Sequence, residues 1–254
     1  MNSEFKGKTA LITGASRGIG TASAIALARN GASRVVLHYN SYEEGAKQAA
    51  EAVRTLGAEV RLFQADLASD DGIRKLAETI RAEQPGIDIL INNAGSLVKR
   101  AALAEFTPEL FDAVMNLNVK SAYFAAQAAA PYMISKGAGV IVNLSSIAAR
   151  HGGGPGATIY SAAKAAVSTI TKGMAKELAP NGIRVNAVSP GTVDNYFHEQ
   201  FSTKAMLESM AAATPAARLG TNEEMADVIV FLCSRASRYM YGQTIEVNGG
   251  MYMV

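Results

Sequence analysis

Tyr160 and Lys164, in the run Tyr160-Ser161-Ala162-Ala163-Lys164, stand four positions apart at the start of a helical segment reaching about Ala179. That separation puts both side chains on one helix face. A free phenol has a pKa of roughly 10 and is a weak acid-base group at neutral pH, but a neighbouring ammonium favours the phenolate and lowers that value. The pair is therefore a candidate for proton transfer. Such pairs also arise by chance in ordinary helices, so upstream residues matter. The strand-like run Val140-Ile141-Val142-Asn143-Leu144 delivers Ser145-Ser146. A hydroxyl there could bond a substrate carbonyl, or both serines simply end the strand. The glycine-rich run from His151 to Gly156 reads as a flexible loop bordering a pocket, with His151, and less directly His198, as candidates for substrate contact.

A second constellation, Thr13-Gly14-Ala15-Ser16-Arg17-Gly18-Ile19-Gly20, follows the first apolar run and opens a helix. Backbone N–H groups and the helix dipole favour a phosphate at such a point. Gly14 permits the tight turn, Gly18 lets a pyrophosphate approach the backbone, and Gly20 allows close packing of helix on strand, with Ser16 and Ile19 in the same loop. The spacing departs from G-x-G-x-x-G, and an ordinary strand-to-helix turn is the alternative; the position after the first strand favours a dinucleotide site. An NAD site usually carries an acid at the end of the second strand. Here Leu37-His38-Tyr39-Asn40-Ser41 has none before Glu43. Arg17 could pair with a 2′-phosphate, joined by Tyr39, Asn40 and Ser41, so NADP(H) is expected over NAD(H), which stays open; the alternative is a solvated Arg17.

Further polar groups fall where open α/β sheets bind ligands, at the carboxyl ends of strands: Asp66-Leu67 and Asn92-Asn93-Ala94-Gly95. Asp66 either accepts from an adenine amino group or caps the next helix, for which Asp70 is the nearer candidate. Asn92 reads as a residue that bonds neighbouring backbone.

These residues need elements to hold them. Runs rich in β-branched residues alternate with segments of helical periodicity from end to end, without a Pro/Gly/Ser linker, as stacked βαβ units require. Strands are expected at Thr9 to Thr13, Arg34 to Tyr39, Glu59 to Ala65, Ile87 to Asn92, Gly139 to Leu144, Arg184 to Ser189 and Thr244 to Val247, seven in all. Gly18 to Asn30, Glu43 to Leu56 and Asp70 to Ala82 have the spacing of amphipathic crossover helices. The fold class is α/β: one Rossmann-like domain over 1–254, a doubly wound parallel sheet with helices on both faces. Residues 191–217, long and partly polar, have the composition of a mobile substrate lid.

The 254 residues are 49% hydrophobic, enough for a sizeable core. With 24 Lys plus Arg against 22 Asp plus Glu, and no basic stripe, nothing points to nucleic acid. No run approaches the roughly 18 to 20 apolar residues of a membrane span, and Met1 to Lys8 has no apolar signal core. The lone Cys233, in an apolar run, suits a reducing compartment, so a cytoplasmic protein is expected. His38, His151 and His198 are too scattered to suggest a metal site.

Taken together, these residues resemble the classical short-chain dehydrogenase/reductase family over essentially the whole chain: TGASRGIG, Asp66-Leu67, NNAG, Asn118 in NLNVKSAYF, Ser146, YSAAK, Asn186 to Gly191 in NAVSPG, and GQTIEVNGG. The resemblance implies that Tyr160 is the general acid in reduction, Ser146 orients the carbonyl, Lys164 binds the nicotinamide ribose and tunes Tyr160, and Asn118 holds a water in the proton relay. It implies dinucleotide contacts from Asn93, Ala94, Gly95, Pro190, Gly191 and Val193, and a homotetramer with the last strand and long helices at interfaces. Where many relatives place a threonine after Pro190-Gly191, this chain has Asn195 beside Asp194. Ser146 precedes Tyr160 by fourteen positions, one more than in many relatives, which keeps Ser145 as a fallback. The likeness extends to 3-oxoacyl-[acyl-carrier-protein] reductases, implying a carbonyl or alcohol substrate that is either a small free molecule (a ketone, sugar or polyol) or carried on acyl-carrier protein. Lys136, Lys172 and Lys176 offer only a sparse basic patch for such a carrier. A non-catalytic NADP(H)-binding sensor is the reading from another class, disfavoured by the presence of Asn118, Ser146, Tyr160 and Lys164.

Overall fold

The computed structural model describes residues 4–253. Its sheet has seven parallel strands: β1 (Thr9–Ile12), β2 (Arg34–Tyr39), β3 (Glu59–Gln64), β4 (Ile89–Asn92), β5 (Gly139–Leu144), β6 (Ile183–Pro190) and β7 (Thr244–Val247), in spatial order β3-β2-β1-β4-β5-β6-β7. β1, β4 and β6 are buried along their whole lengths, because a parallel sheet covered on both faces needs apolar runs rather than alternation. Strand ends shift slightly from expectation: Thr13, Ala65, Ile87 and Asp88 lie outside the ladders.

Ten helices surround the sheet among the described residues: α1 (Gly18–Arg29), α2 (Glu43–Arg54), α3 (Asp70–Ala82), α4 (Pro108–Met115), α5 (Ser121–Lys136), α6 (Ala148–His151), α7 (Thr158–Leu178), α8 (Tyr196–Phe201), α9 (Lys204–Ala213) and α10 (Asn222–Cys233). Leu27, Val53 and Leu232 of α1, α2 and α10 pack with Ile12, Leu37 and Ile91 on one face. Leu76, Met133 and Met174 of α3, α5 and α7 pack with Leu11, Val36 and Ile141 on the other. Neighbouring residues of one strand therefore serve opposite cores, as the two-residue period of a strand demands.

The chain runs outward from β1 to β3 and then returns to β4 beside β1. Between the carboxyl ends of β1 and β4 a crevice opens, the usual ligand position in such sheets. α3 is capped by neither acid considered from sequence: the Ser69 hydroxyl accepts from the Gly72 N–H, while Asp66 accepts from the Ala68 N–H within its own turn. Serine at that position satisfies the orphan donor with a shorter reach. The expected lid contains α8 and α9, and no helix of the described residues is long and apolar enough to cross a membrane.

Candidate active site

Gly14 and Gly18 both adopt positive φ, +64° and +61°, so the turn after β1 requires residues without a Cβ. A Cβ on Gly20 would collide with the Gly14 carbonyl and the Asn93 amide, which is the close packing expected there. The loop is fixed from three sides. The Asn93 Nδ2 donates to the Thr13 and Gly14 carbonyls at 2.8 and 2.9 Å, and the Thr13 hydroxyl accepts from the Asn93 and Ala94 N–H groups. His38 Nδ1 accepts from the Gly14 N–H at 3.0 Å while its Nε2 faces the Ala65 carbonyl at 2.9 Å. That geometry needs a neutral ring, and burial holds the His38 pKa down at about 4. The first turn of α1 has no side-chain cap and no acid, leaving its N–H groups for a phosphate.

Arg17, offered from sequence as either a phosphate partner or a solvated side chain, lies between two rings, its guanidinium carbon 4.1 Å from the centre of Tyr42 and 3.8 Å from Tyr196. Tyr42 ends the β2–α2 turn and Tyr196 opens α8, so the stack spans the cleft. Neither ring was singled out from sequence, where a tyrosine carries no sign of what it will face. Asn40 and Ser41 line the same cleft, as do Ser16, Ile19, Leu67, Ala94 and Gly95; Tyr39 and Asp66 do not. Asp66 instead accepts from Asn40 Nδ2 at 3.4 Å.

β5 ends at the facing wall. Ser145 Oγ bonds the Lys164 carbonyl at 2.9 Å and Ser168 Oγ at 2.8 Å, so this hydroxyl is committed to holding α7. The Ser146 hydroxyl accepts from the Ala148 N–H at 3.1 Å and lines the cleft beside Tyr160, whose pKa it acts to lower. The fourteen-residue spacing is taken up by α6 and by left-handed turns at Gly152, Gly153 and Gly156. Lys164 donates from Nζ to the Leu144 carbonyl at 2.8 Å, and Nζ lies 5.7 Å from the centre of the Tyr160 ring.

One expectation is corrected here. Sequence suggested that Lys164 lowers the Tyr160 pKa; in the fold desolvation dominates and raises it to about 12, with Ser146 opposing only partly. Burial likewise lowers Lys164 to about 8. Removing both groups from water favours both neutral forms, and the ammonium is turned toward the Leu144 carbonyl.

Asn118 occupies a π-helical turn, Asn116–Lys120, between α4 and α5. Its Nδ2 donates to the carbonyls of Ser96 at 2.8 Å and Val114 at 2.9 Å, leaving the buried Oδ1 without a partner. A Cβ on Gly95 would meet both Asn118 Oδ1 and Lys164 Nζ at 2.7 Å, so glycine keeps these two polar atoms facing one small space. The cleft, lined by Gly95, Ser146, Tyr160, Lys164 and the glycine loop but not by Asn118, holds about 460 Å³.

The family profile described as enoyl-(acyl carrier protein) reductase matches residues 14–252. The 3-oxoacyl-[acyl-carrier-protein] reductase FabG of Staphylococcus aureus is 37% identical over 246 residues, covering 97% of this chain and 98% of the relative. The chain belongs to the short-chain dehydrogenase/reductase family. The FabG of Thermotoga maritima is 38% identical over 247 residues, with 97% and 98% covered. Among solved structures, one from Beutenbergia cavernae described as an NAD(P)-dependent gluconate 5-dehydrogenase, with bound NADP at low occupancy, superposes at a TM-score of 0.91 with 32% identity and 99% of each chain covered. This short-chain dehydrogenase/reductase is thus a FabG-like oxidoreductase acting on CH–OH groups.

The substrate end of the dehydrogenase cleft is built by residues that sequence reasoning largely missed. Phe197 lies with its ring 5.7 Å from that of Tyr160 and 5.1 Å from Phe201. Leu97, Arg100, Gln200, Met210 and Met251 join them. Of the two histidines proposed for contact, both line the cleft; His198 is bonded to Ser202 Oγ at 3.1 Å and is held at a pKa of about 4 by burial and then by the charge of Arg100. Pro190, Gly191 and Val193 form the edge nearest β6, while Asn195 caps α8 through the Phe197 N–H and bonds Asn222. Asn195, expected where many relatives carry a threonine, is thus engaged in helix capping.

Proposed function

We propose that this protein interconverts a carbonyl and a secondary alcohol with NADP(H), Tyr160 transferring the proton. The observation that carries the reading is that Ser146, Tyr160 and buried Lys164 line one cleft, whose rim is the uncapped glycine loop. The fit to a dinucleotide rests on the uncapped N–H groups of the first turn of α1 and on Gly95, which leaves room a Cβ would fill. When bound, the nicotinamide supplies or accepts the hydride. Ser146 orients the carbonyl oxygen by hydrogen bond, and Tyr160 delivers its proton to that oxygen as negative charge develops. Lys164 holds the nicotinamide ribose and keeps positive charge near the phenol. Asn118, through its unpartnered Oδ1, holds a water that resupplies the proton.

Replacing Tyr160 with Phe keeps the ring and removes the transferable proton. Ketone-dependent NADPH oxidation is expected to fall by about 10²- to 10⁴-fold with nucleotide affinity retained. Nucleotide binding by the wild type without turnover across a broad carbonyl panel would support a sensor instead. For the cofactor, Arg17 is the 2′-phosphate partner, held in place by Tyr42 and Tyr196. Arg17→Met should raise the Michaelis constant for NADPH well above any effect on NADH, and equal effects would count against this assignment. The FabG relatives favour an acyl thioester on a carrier protein; the gluconate 5-dehydrogenase-like neighbour favours a free sugar acid or polyol. Residues 191–217 act as the lid, carrying the aromatic wall of α8 over the substrate.

A further inference from the structure

We propose that Arg100 receives a carboxylate carried by the substrate itself, so that the site takes a small oxo acid in preference to a neutral ketone; this rests on reading the cleft as a carbonyl reductase. The charge pattern points there first. Arg17, Arg100 and Lys164 line the cleft and no aspartate or glutamate does, although the whole chain carries 24 cations against 22 acids. A cleft of one sign with apolar walls concentrates ions of the opposite sign. Arg17 belongs to the glycine loop and Lys164 to the Tyr160 floor, which leaves Arg100 for the substrate end.

The local geometry presents this side chain for a ligand. Among the described residues no carboxylate lies within 4 Å of Arg100. Its Nε donates to the Phe201 carbonyl at 3.0 Å and its Nη1 to the Pro155 carbonyl at 2.8 Å, while Nη2 bonds no described residue. The planar guanidinium is thereby pinned between α8 and the glycine-rich loop with one donor group unused, and a carboxylate suits such a group. The backbone that brings it there is strained. Val98 has φ +61°, and the Lys99 N–H donates to the Leu97 carbonyl at 2.7 Å, closing a tight γ-turn on a β-branched residue. That turn folds the segment after β4 back against Gly156, beside which Arg100 lies. His198, kept neutral by burial and by Arg100 although the Asp194 carboxylate acts the other way, adds a polar neighbour, and Phe197, Phe201, Leu97 and Met210 supply the apolar wall along the carbon chain.

The test pairs each of 2-oxobutyrate, acetoacetate and levulinate with its methyl ester, using NADPH and NADH, in wild type, Arg100→Met and Arg100→Lys. In wild type the acid of at least one pair should exceed its ester in kcat/KM by about tenfold or more, a charge-assisted bond. That ratio should collapse in Arg100→Met and be partly kept in Arg100→Lys. A wild-type ratio near one overturns the proposal, as does an unchanged ratio in Arg100→Met, which would reduce Arg100 to a brace between α8 and the loop. Acetoacetyl-pantetheine with and without its 4′-phosphate forms a further arm: Arg100 dependence confined to the phosphorylated form puts the anion on a carrier arm and also overturns it. Calorimetric titration of the same pairs into NADP-loaded protein separates the two readings. Acid-selective, Arg100-dependent binding without turnover sinks the reductase reading alone, and no acid preference by either readout sinks the Arg100 proposal.

Discussion

Lys164 is buried and Tyr160 half-buried beside it, and desolvation drives each toward its neutral form, to about 8 and about 12 respectively. For Tyr160 the folded pKa lies above the unfolded one, so its contribution to stability is full below roughly pH 10 and is lost on rising toward 12. Lys164 has a folded pKa below its unfolded value, so holding it charged costs the fold stability below about pH 8, a cost that fades toward roughly pH 10.5. Lys164→Met should therefore stabilise the unliganded protein at pH 7 by about 1 to 3 kcal/mol while abolishing turnover, read by thermal unfolding beside a steady-state assay. A destabilised variant would mean that the Leu144 carbonyl compensates the ammonium fully. The opposition between stability and activity at one side chain is what a functional charge in a buried site entails.

At the scale of elements, the glycine loop is held by groups drawn from other strands. His38 of β2 bridges the Gly14 N–H and the Ala65 carbonyl, and only its neutral form can accept from Gly14. With its pKa lowered to about 4, the unfolded chain binds the proton first as pH drops from roughly 6.5, so stability present above that pH is lost on acidification. About 3 kcal/mol should disappear between pH 6.5 and 4, and His38→Phe should flatten that part of a denaturant-measured stability profile. An unaltered slope would remove His38 from the loop's support. β2 was legible as a strand from Val35, Val36 and Leu37, yet His38 read only as an isolated histidine, because its partners lie 24 and 27 residues away. The helices were legible from periodicity, whereas the α3 cap and the π-turn at Asn118 were not, since both depend on local geometry that several residue types satisfy.

Over the whole molecule, exposed apolar side chains remain for a partner. Leu103 and Tyr239 are 89% and 96% exposed, and Phe111 and Tyr123 on α4 and α5 are also open. The homotetramer expected from the family resemblance should be seen as a sedimenting species of four times the chain mass. Phe111→Glu with Tyr123→Glu should shift it to smaller species without loss of secondary structure, and a monomeric wild type would refute the expectation.

Sequence alone determined the α/β class, the strand succession, the glycine loop and the Tyr160–Lys164 pair, because hydrophobic period and short-range spacing are local properties that survive without coordinates. Tertiary structure decided which serine meets Tyr160, which way burial moves its pKa, and that Tyr42, Tyr196 and Arg100 face the cleft. Those outcomes depend on contacts between segments as much as 179 residues apart in the chain, as Arg17 and Tyr196 are, and on desolvation that exists only once the layers close.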